Sequence, residues 1–271
     1  MIKKQNLHTH TIYCDGINTP EQMVEAAIAK GFDSIGFSGH SYMTYASWVP
    51  LDRTVEYKEH INRLKKEYAD RIKIYLGLEV DMYSGPETDL TGFDYLIGGV
   101  HEIKCGDTFF SIDESAATTR QIVEQQFGGD GLAFAKAYYE TLARLPEYGS
   151  FDIIAHFDLI TKFRDTVSLF DEGSEQYRSY AMEAARALAG KIPYFEVNTG
   201  AIARGYRTTP YPAEFMVREL GKLGFGAVIT SDCHDCTKLD MQFDQAAQLL
   251  RSCGFKERFV LTDDGFVPVA L

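Results

Sequence analysis

Apolar and β-branched runs recur along the chain at intervals that a helix can fill. They are DSIGFSG at 33–39, IKIYLGLEV at 72–80, DYLIGGV at 94–100, FDIIAHF at 151–157, IPYFEVNTG at 192–200 and GAVITSD at 226–232. A short first strand near residues 3–8 brings the number to seven. Continuous apolar runs of this length read as buried strands. Amphipathic stretches lie between them. In TPEQMVEAAIAKG (19–31), Thr19 is placed to cap the helix, Pro20 suits its first position and Gly31 ends it, while Met23, Ala26 and Ala27 share one side. GSEQYRSYAMEAARALAG (173–190) and YPAEFMVRELGKLG (211–224) have the same form. This alternation predicts a parallel α/β architecture close to a barrel. No Pro/Ser/Gly-rich linker divides the chain, so residues 1–271 are expected to form a single domain. The widest gap between strands, around 102–150, is expected to hold a loop and two helices, about 115–127 and 131–145, as an inserted wall or lid.

Composition changes this picture little: 45% hydrophobic and 24% charged residues fit an ordinary globular protein. Charge changes it more. A formal net charge of −12 argues against binding to a nucleic-acid backbone, which needs Lys and Arg to displace counterions. A small anionic substrate stays possible, because bound metal ions can reverse the field inside one pocket. The first residues, MIKKQNLHTH, lack the apolar core of about 7–15 residues that an export signal carries. No run of about 18 apolar residues suggests a membrane span. The five cysteines, Cys14, Cys105, Cys233, Cys236 and Cys253, are scattered and read as reduced thiols; the Cys233/Cys236 pair has no second pair to complete a zinc knuckle. A cytoplasmic enzyme without a membrane partner is expected.

The histidines carry the chemistry. His8 and His10 close the first strand, His40 follows IGFSG, His101 follows LIGGV, His156 lies in DIIAHFD and His234 follows VITSD. Only His60, in the charged helix EYKEHINRLKKEY, lies off the pattern. Glu79 and Asp232 end strands in the same way, and Asp15 follows His10 in HTHTIYCDG. In parallel β/α folds the active site is built at the C-terminal edge of the sheet. His8 and His10, at i and i+2, share a face and can converge on one ion. Imidazole with carboxylate suits Zn, Fe or Mn better than Ca. His8, His10, Asp15, His40, Glu79, His101, His156, Asp232 and His234 are too many ligands for one ion and suit two or three.

The set HTH…CDG, SGH, GLE, GGVH, AHFD and TSDCH resembles the PHP superfamily of metal-dependent phosphoesterases. The chain is most similar to the branch that hydrolyses L-histidinol phosphate, a likeness that extends to AHFDLITKF and EVNTGAIARGYRTTPYP. The resemblance implies a distorted, TIM-like seven-stranded (β/α)7 barrel and a centre of two or three divalent ions. It places His8, His10, Glu79 and Asp232 on the first ion; Glu79 as a bridge, with His101 and His156, on the second; and Asp15, His40 and His234 on a third. Some relatives have His where this chain has Asp15, which bears on how that site chooses its ion.

A mechanism follows for a small phosphate ester. On this reading the metals would neutralise the phosphate and supply the hydroxide that would attack phosphorus in line. Asp232 and His234 stand in the catalytic group, with His234 or a water returning a proton to the leaving alkoxide. Arg204 is the first choice to clamp the phosphate, because a guanidinium can bind two oxygens at once. Arg207, Lys162 and Arg164 come next. Asp81, Tyr42 and Tyr83 follow strand ends and could face an amino alcohol that carries an imidazole. Other phosphate esters, a nucleic-acid phosphodiester, or a non-catalytic metal-binding domain are the alternatives.

Overall fold

The computed structural model describes residues 4–42, 51–85 and 88–271. Seven strands form one parallel sheet in sequence order: β1 (Gln5–Asn6), β2 (Ser34–Phe37), β3 (Lys73–Asp81), β4 (Tyr95–Gly99), β5 (Ile153–Ile154), β6 (Tyr194–Asn198) and β7 (Gly226–Thr230). Every expected strand is present, several shorter than their apolar run. The sheet closes without a ladder between β7 and β1. A parallel bridge joins Thr9 to Cys233, with His10 N donating to Cys233 O at 2.8 Å and Cys233 N to His8 O at 3.0 Å. The seam is therefore sewn beside the two histidines, and the barrel is distorted because β1 and β5 have two residues each.

Helices cover the outside of the sheet. The helix Pro20–Ala29 begins as its sequence dictates: Thr19 Oγ1 accepts from Gln22 N, and the Gln22 side chain accepts from Thr19 N in return. Helices Glu175–Leu188 and Glu214–Lys222 appear near their expected places. Two expectations need correction. Residues 102–111 are not a loop but an antiparallel hairpin, Glu102–Cys105 with Thr108–Ser111, followed by helices Ala116–Gln126, Gly131–Leu142 and Leu145–Tyr148. A second hairpin, Glu257–Thr262 with Gly265–Ala270, ends the chain and went unread, although DDG between alternating apolar positions is a hairpin signal.

The inside of the barrel is divided. Its lower half is apolar: Leu7, Tyr75, Tyr95, Ile97, Ile153, Ala155, Val228 and Leu261 form one buried cluster. Tyr95 fills the middle, and its hydroxyl donates to Leu7 O at 2.5 Å and Phe37 O at 3.1 Å. The ring fits because Gly36 and Gly77 face it; a Cβ on either would overlap Tyr95. The C-terminal hairpin closes the floor, where Leu261 exchanges hydrogen bonds with the Gln5 side chain. The upper half, at the C-terminal strand ends, is polar.

Gly77→Ala is therefore expected to destabilise the fold by about 1–3 kcal/mol, the usual cost of overpacking a filled core. A denaturant midpoint unchanged from the native protein would show that Tyr95 can yield.

Candidate metal centre

The strand ends bring all nine expected ligands together at the polar mouth. Glu79, on the long strand β3, stands at the centre with 1% of its side chain exposed. Its Oε2 lies 3.2 Å from His8 Nε2, 3.5 Å from His10 Nε2 and 3.1 Å from His40 Nδ1. Asp232 Oδ1 completes this first group, 3.2 Å from His10 Nε2. Glu79 Oε1 faces the other way, 3.0 Å from His156 Nε2 and 3.3 Å from His101 Nε2, which are 3.1 Å apart. A third group is built on Asp15: its Oδ2 is 2.9 Å from His234 Nε2, and its Oδ1 is 3.2 Å from His10 Nδ1 and 3.6 Å from His40 Nε2.

These separations suit metal ligands. Donors at about 2.0–2.1 Å from a tetrahedral ion stand roughly 3.3 Å from one another. His8 Nε2, His10 Nε2 and Glu79 Oε2 are buried and close, yet make no hydrogen bond. Unsatisfied polar atoms in a protein interior are rare and costly. A divalent cation would satisfy all three, so the donor set fits such an ion.

Charge points the same way. Burial alone would raise the Glu79 carboxyl, but His8, His40 and His101 hold it well below its usual range. Burial opposes charge on His8 too, but Glu196, Glu79 and Asp232 outweigh it and push its imidazole up to about 10. For Asp232, Arg204 and then His8 overcome burial and keep the carboxylate ionised. His234 moves down, under burial and the neighbouring His10. Without metal, protonated imidazoles such as that of His8 balance the ionised carboxylates, and a cation would displace those protons.

Local backbone features set these side chains in place. Asp232 has a left-handed φ of 44°, uncommon for a residue other than glycine. The bend is tolerated beside Gly200, where a Cβ would lie 2.8 Å from Asp232 Cβ. Gly16, in CDG, rests against the His10–Thr11 peptide, where a Cβ would come within 2.5 Å.

The most informative residue missed by sequence reasoning is Glu196, on β6. It is fully buried. Its Oε2 lies 2.9 Å from His8 Nδ1 and accepts from Thr230 Oγ1 at 2.8 Å, while its Oε1 accepts from His156 N and Asn198 Nδ2, each at 2.7 Å. Glu196 holds the Nδ1 proton of His8 and leaves Nε2 turned to the centre. The signal was a carboxylate inside the otherwise apolar run YFEVN.

The expected substrate residues divide. Arg204 reaches the centre, with Nη2 2.9 Å from Asp232 Oδ2 and Nη1 2.9 Å from His234 Nδ1. The others have different partners. Arg207 has no exposed side-chain surface; it donates to Thr161 Oγ1 and Pro210 O and stacks on Tyr211, so it braces the 158–211 region. Lys162 donates to Asp113, pinning the insertion to the segment after β5. Arg164 pairs with Glu172 at 2.8 Å. Asp81 accepts from His101 N at 2.6 Å and from Tyr83 N at 2.7 Å, which makes it a brace for a ligand. Tyr42 accepts from Gly85 N through its backbone carbonyl.

Residues 6–200 match the family model described as the PHP domain. Among curated proteins, the chain is 29% identical over 261 residues to a probable histidinol-phosphatase of Deinococcus radiodurans, covering 91% of this chain and 92% of that one. It is 28% identical to the histidinol-phosphatase of Lactococcus lactis, covering 94% and 93%. Among solved structures, the fold matches histidinol phosphate phosphatase from Lactococcus lactis, complexed with Zn, L-histidinol and phosphate, with a TM-score of 0.74 at 22% identity over 98% of this chain and 100% of that one.

Replacing Glu196 with Gln should lower metal affinity about 10–100-fold, the usual effect of losing a carboxylate behind a ligand histidine. Competition with a chromophoric chelator measures it, and an unchanged affinity would remove Glu196 from the centre.

Proposed function

The chain belongs to the PHP domain family, and on that premise we propose that it is a metal-dependent phosphomonoesterase that hydrolyses L-histidinol phosphate to L-histidinol and phosphate. The observation that carries the metal chemistry is the division of the Glu79 carboxylate between two groups of unsatisfied or closely spaced histidines. Likeness to histidinol-phosphatases over nearly the whole of both chains carries the substrate.

His8, His10, Glu79 and Asp232 would hold one ion, Glu79 with His101 and His156 a second, and Asp15, His40 and His234 a third. This donor set suits Zn, Fe or Mn. When bound, such ions supply a nucleophile from water near neutral pH, neutralise phosphate charge and align the attacking and leaving oxygens. The protein fixes the geometry. Glu79 sits on β3, which is paired with β2 on one side and β4 on the other. Arg204, with 25% of its side chain exposed, stands at the rim of the centre. Its guanidinium pairs with Asp232 in this structure, and from that position it would be able to offer N–H groups to phosphate oxygens. His234 Nε2 stands 2.9 Å from Asp15 Oδ2 and its Nδ1 2.9 Å from Arg204 Nη1, so a metal at Asp15 would meet Nε2.

Turnover of histidinol phosphate, a generic aryl phosphate and single-stranded DNA tests the substrate. The expected result is a kcat/KM for histidinol phosphate at least about tenfold above the others, a difference of about 1.4 kcal/mol in transition-state binding. Equal or faster turnover of either alternative would overturn the assignment. Glu79→Gln should cut kcat by about 100-fold or more and reduce bound metal in elemental analysis, because one carboxylate serves two ions; near-normal turnover would contradict its bridging role.

A further inference from the structure

His60 is the one histidine outside the metal centre, and it is bound on both sides. Its Nε2 lies 2.7 Å from Glu21 Oε1, and its Nδ1 lies 2.9 Å from the Tyr13 hydroxyl. A carboxylate at Nε2 holds the proton there, which leaves Nδ1 to accept from Tyr13 O–H. Three elements are joined by this chain of contacts: Glu21 in helix Pro20–Ala29, His60 in helix Leu51–Glu67, and Tyr13 in the loop between His10 and Asp15.

That loop has a special burden. The other ligands stand on strands or close to strand ends, where the sheet fixes the backbone. Asp15 stands away from the sheet, with 41% of its side chain exposed, and must still reach His10, His40 and His234 together. One flank of the loop is tied by backbone: Ile12 N donates to Asn18 O at 3.0 Å and Ile17 N to His234 O at 2.9 Å. The opposite flank is held by side chains of helix Leu51–Glu67. His60 takes the Tyr13 hydroxyl, and Arg53 Nη1 donates to Ile12 O at 2.8 Å. The Tyr13 ring meets His60 edge-on, with centroids 5.7 Å apart.

We propose that Glu21, His60 and Tyr13 form a positioning relay that holds the 11–16 loop in its ligating shape and so sets how tightly the ion at Asp15, His40 and His234 is bound. The proposal rests on the reading of those three residues as an ion site. A ligand fixed before binding avoids the cost of ordering its loop when the ion arrives. Tyr13 is not among the ligands; it acts through Asp15, two residues along.

The test is metal retention. Fully loaded native protein and its variants are dialysed against graded chelator, and bound metal is counted by elemental analysis. The native protein should release its outermost ion in a separate first step. Tyr13→Phe, which removes only the hydroxyl, should bring that step to about tenfold lower chelator concentration, leaving later steps and the melting temperature of the metal-free protein in place. Glu21→Ala should reproduce part of the shift, and Glu21→Gln, which keeps an acceptor for His60, should restore it. First steps that coincide in native protein and Tyr13→Phe would overturn the relay, as would a uniform shift of every step with a lowered melting temperature, the mark of general loosening. If native protein shows no separate step and Asp15→Ala changes no metal count, the ion-site reading fails and the relay falls with it.

Discussion

A buried negative charge governs this molecule. Glu79 is 1% exposed, Glu196 is fully buried and Asp232 is nearly so, and all three lie within one barrel mouth. An isolated carboxylate in such a place would be neutralised or would oppose folding. Here the balancing groups are imidazoles from five strand ends and the single guanidinium of Arg204. Imidazoles can balance carboxylates only while they hold protons, and the raised pKa of His8 shows that demand. Divalent cations meet the same demand without protons, and leave nitrogen lone pairs where the structure leaves them unsatisfied. The seven-fold convergence of strands is thus the means of gathering enough donors around charge that no local segment could stabilise alone.

Holding such charges requires a frame that does not relax, and the lower barrel provides it. Inward positions on β3 run Tyr75, Gly77, Glu79 and Asp81, and those of β4 lead from Tyr95 and Ile97 through Gly99 to His101. Each strand passes from packed core to charged mouth within a few residues. The glycines are part of this design at both levels. Gly77 admits the Tyr95 ring, and Gly99 leaves room where a Cβ would lie 3.3 Å from His156 Cε1 and 3.4 Å from His101 Cε1. Packing below fixes the strand positions; absent side chains above give the imidazoles space to converge.

Much of this was legible in the sequence for a physical reason. A parallel strand buried on both faces is a continuous apolar run, so a polar residue at its end is conspicuous, and the six histidines of the centre share that address. Glu196 was not legible in the same way, because it lies inside its strand and serves a ligand instead of being one. Arg207, Lys162 and Asp81 were read from the sequence as substrate contacts because they stand near the right strand ends; in the structure they bond Thr161, Asp113 and the His101 backbone, partners that no strand pattern announces. Topological address identifies who arrives at the mouth; only the packing reveals which of them faces its centre. The two hairpins went unread because their strands lie outside the strand–helix alternation that marks the barrel.

The acidity of the chain bears on which phosphate such a centre accepts. A formal charge of −12 makes the chain as a whole repel anions, while divalent ions held by the centre would make the mouth attractive over a short distance. At physiological ionic strength that attraction fades beyond about 8 Å. A monoester can place its one phosphate wholly within this range and leave an uncharged or cationic remainder outside. The same charge pattern that forces the centre to recruit cations therefore favours a small phosphate ester with a basic leaving group, such as an amino alcohol bearing an imidazole.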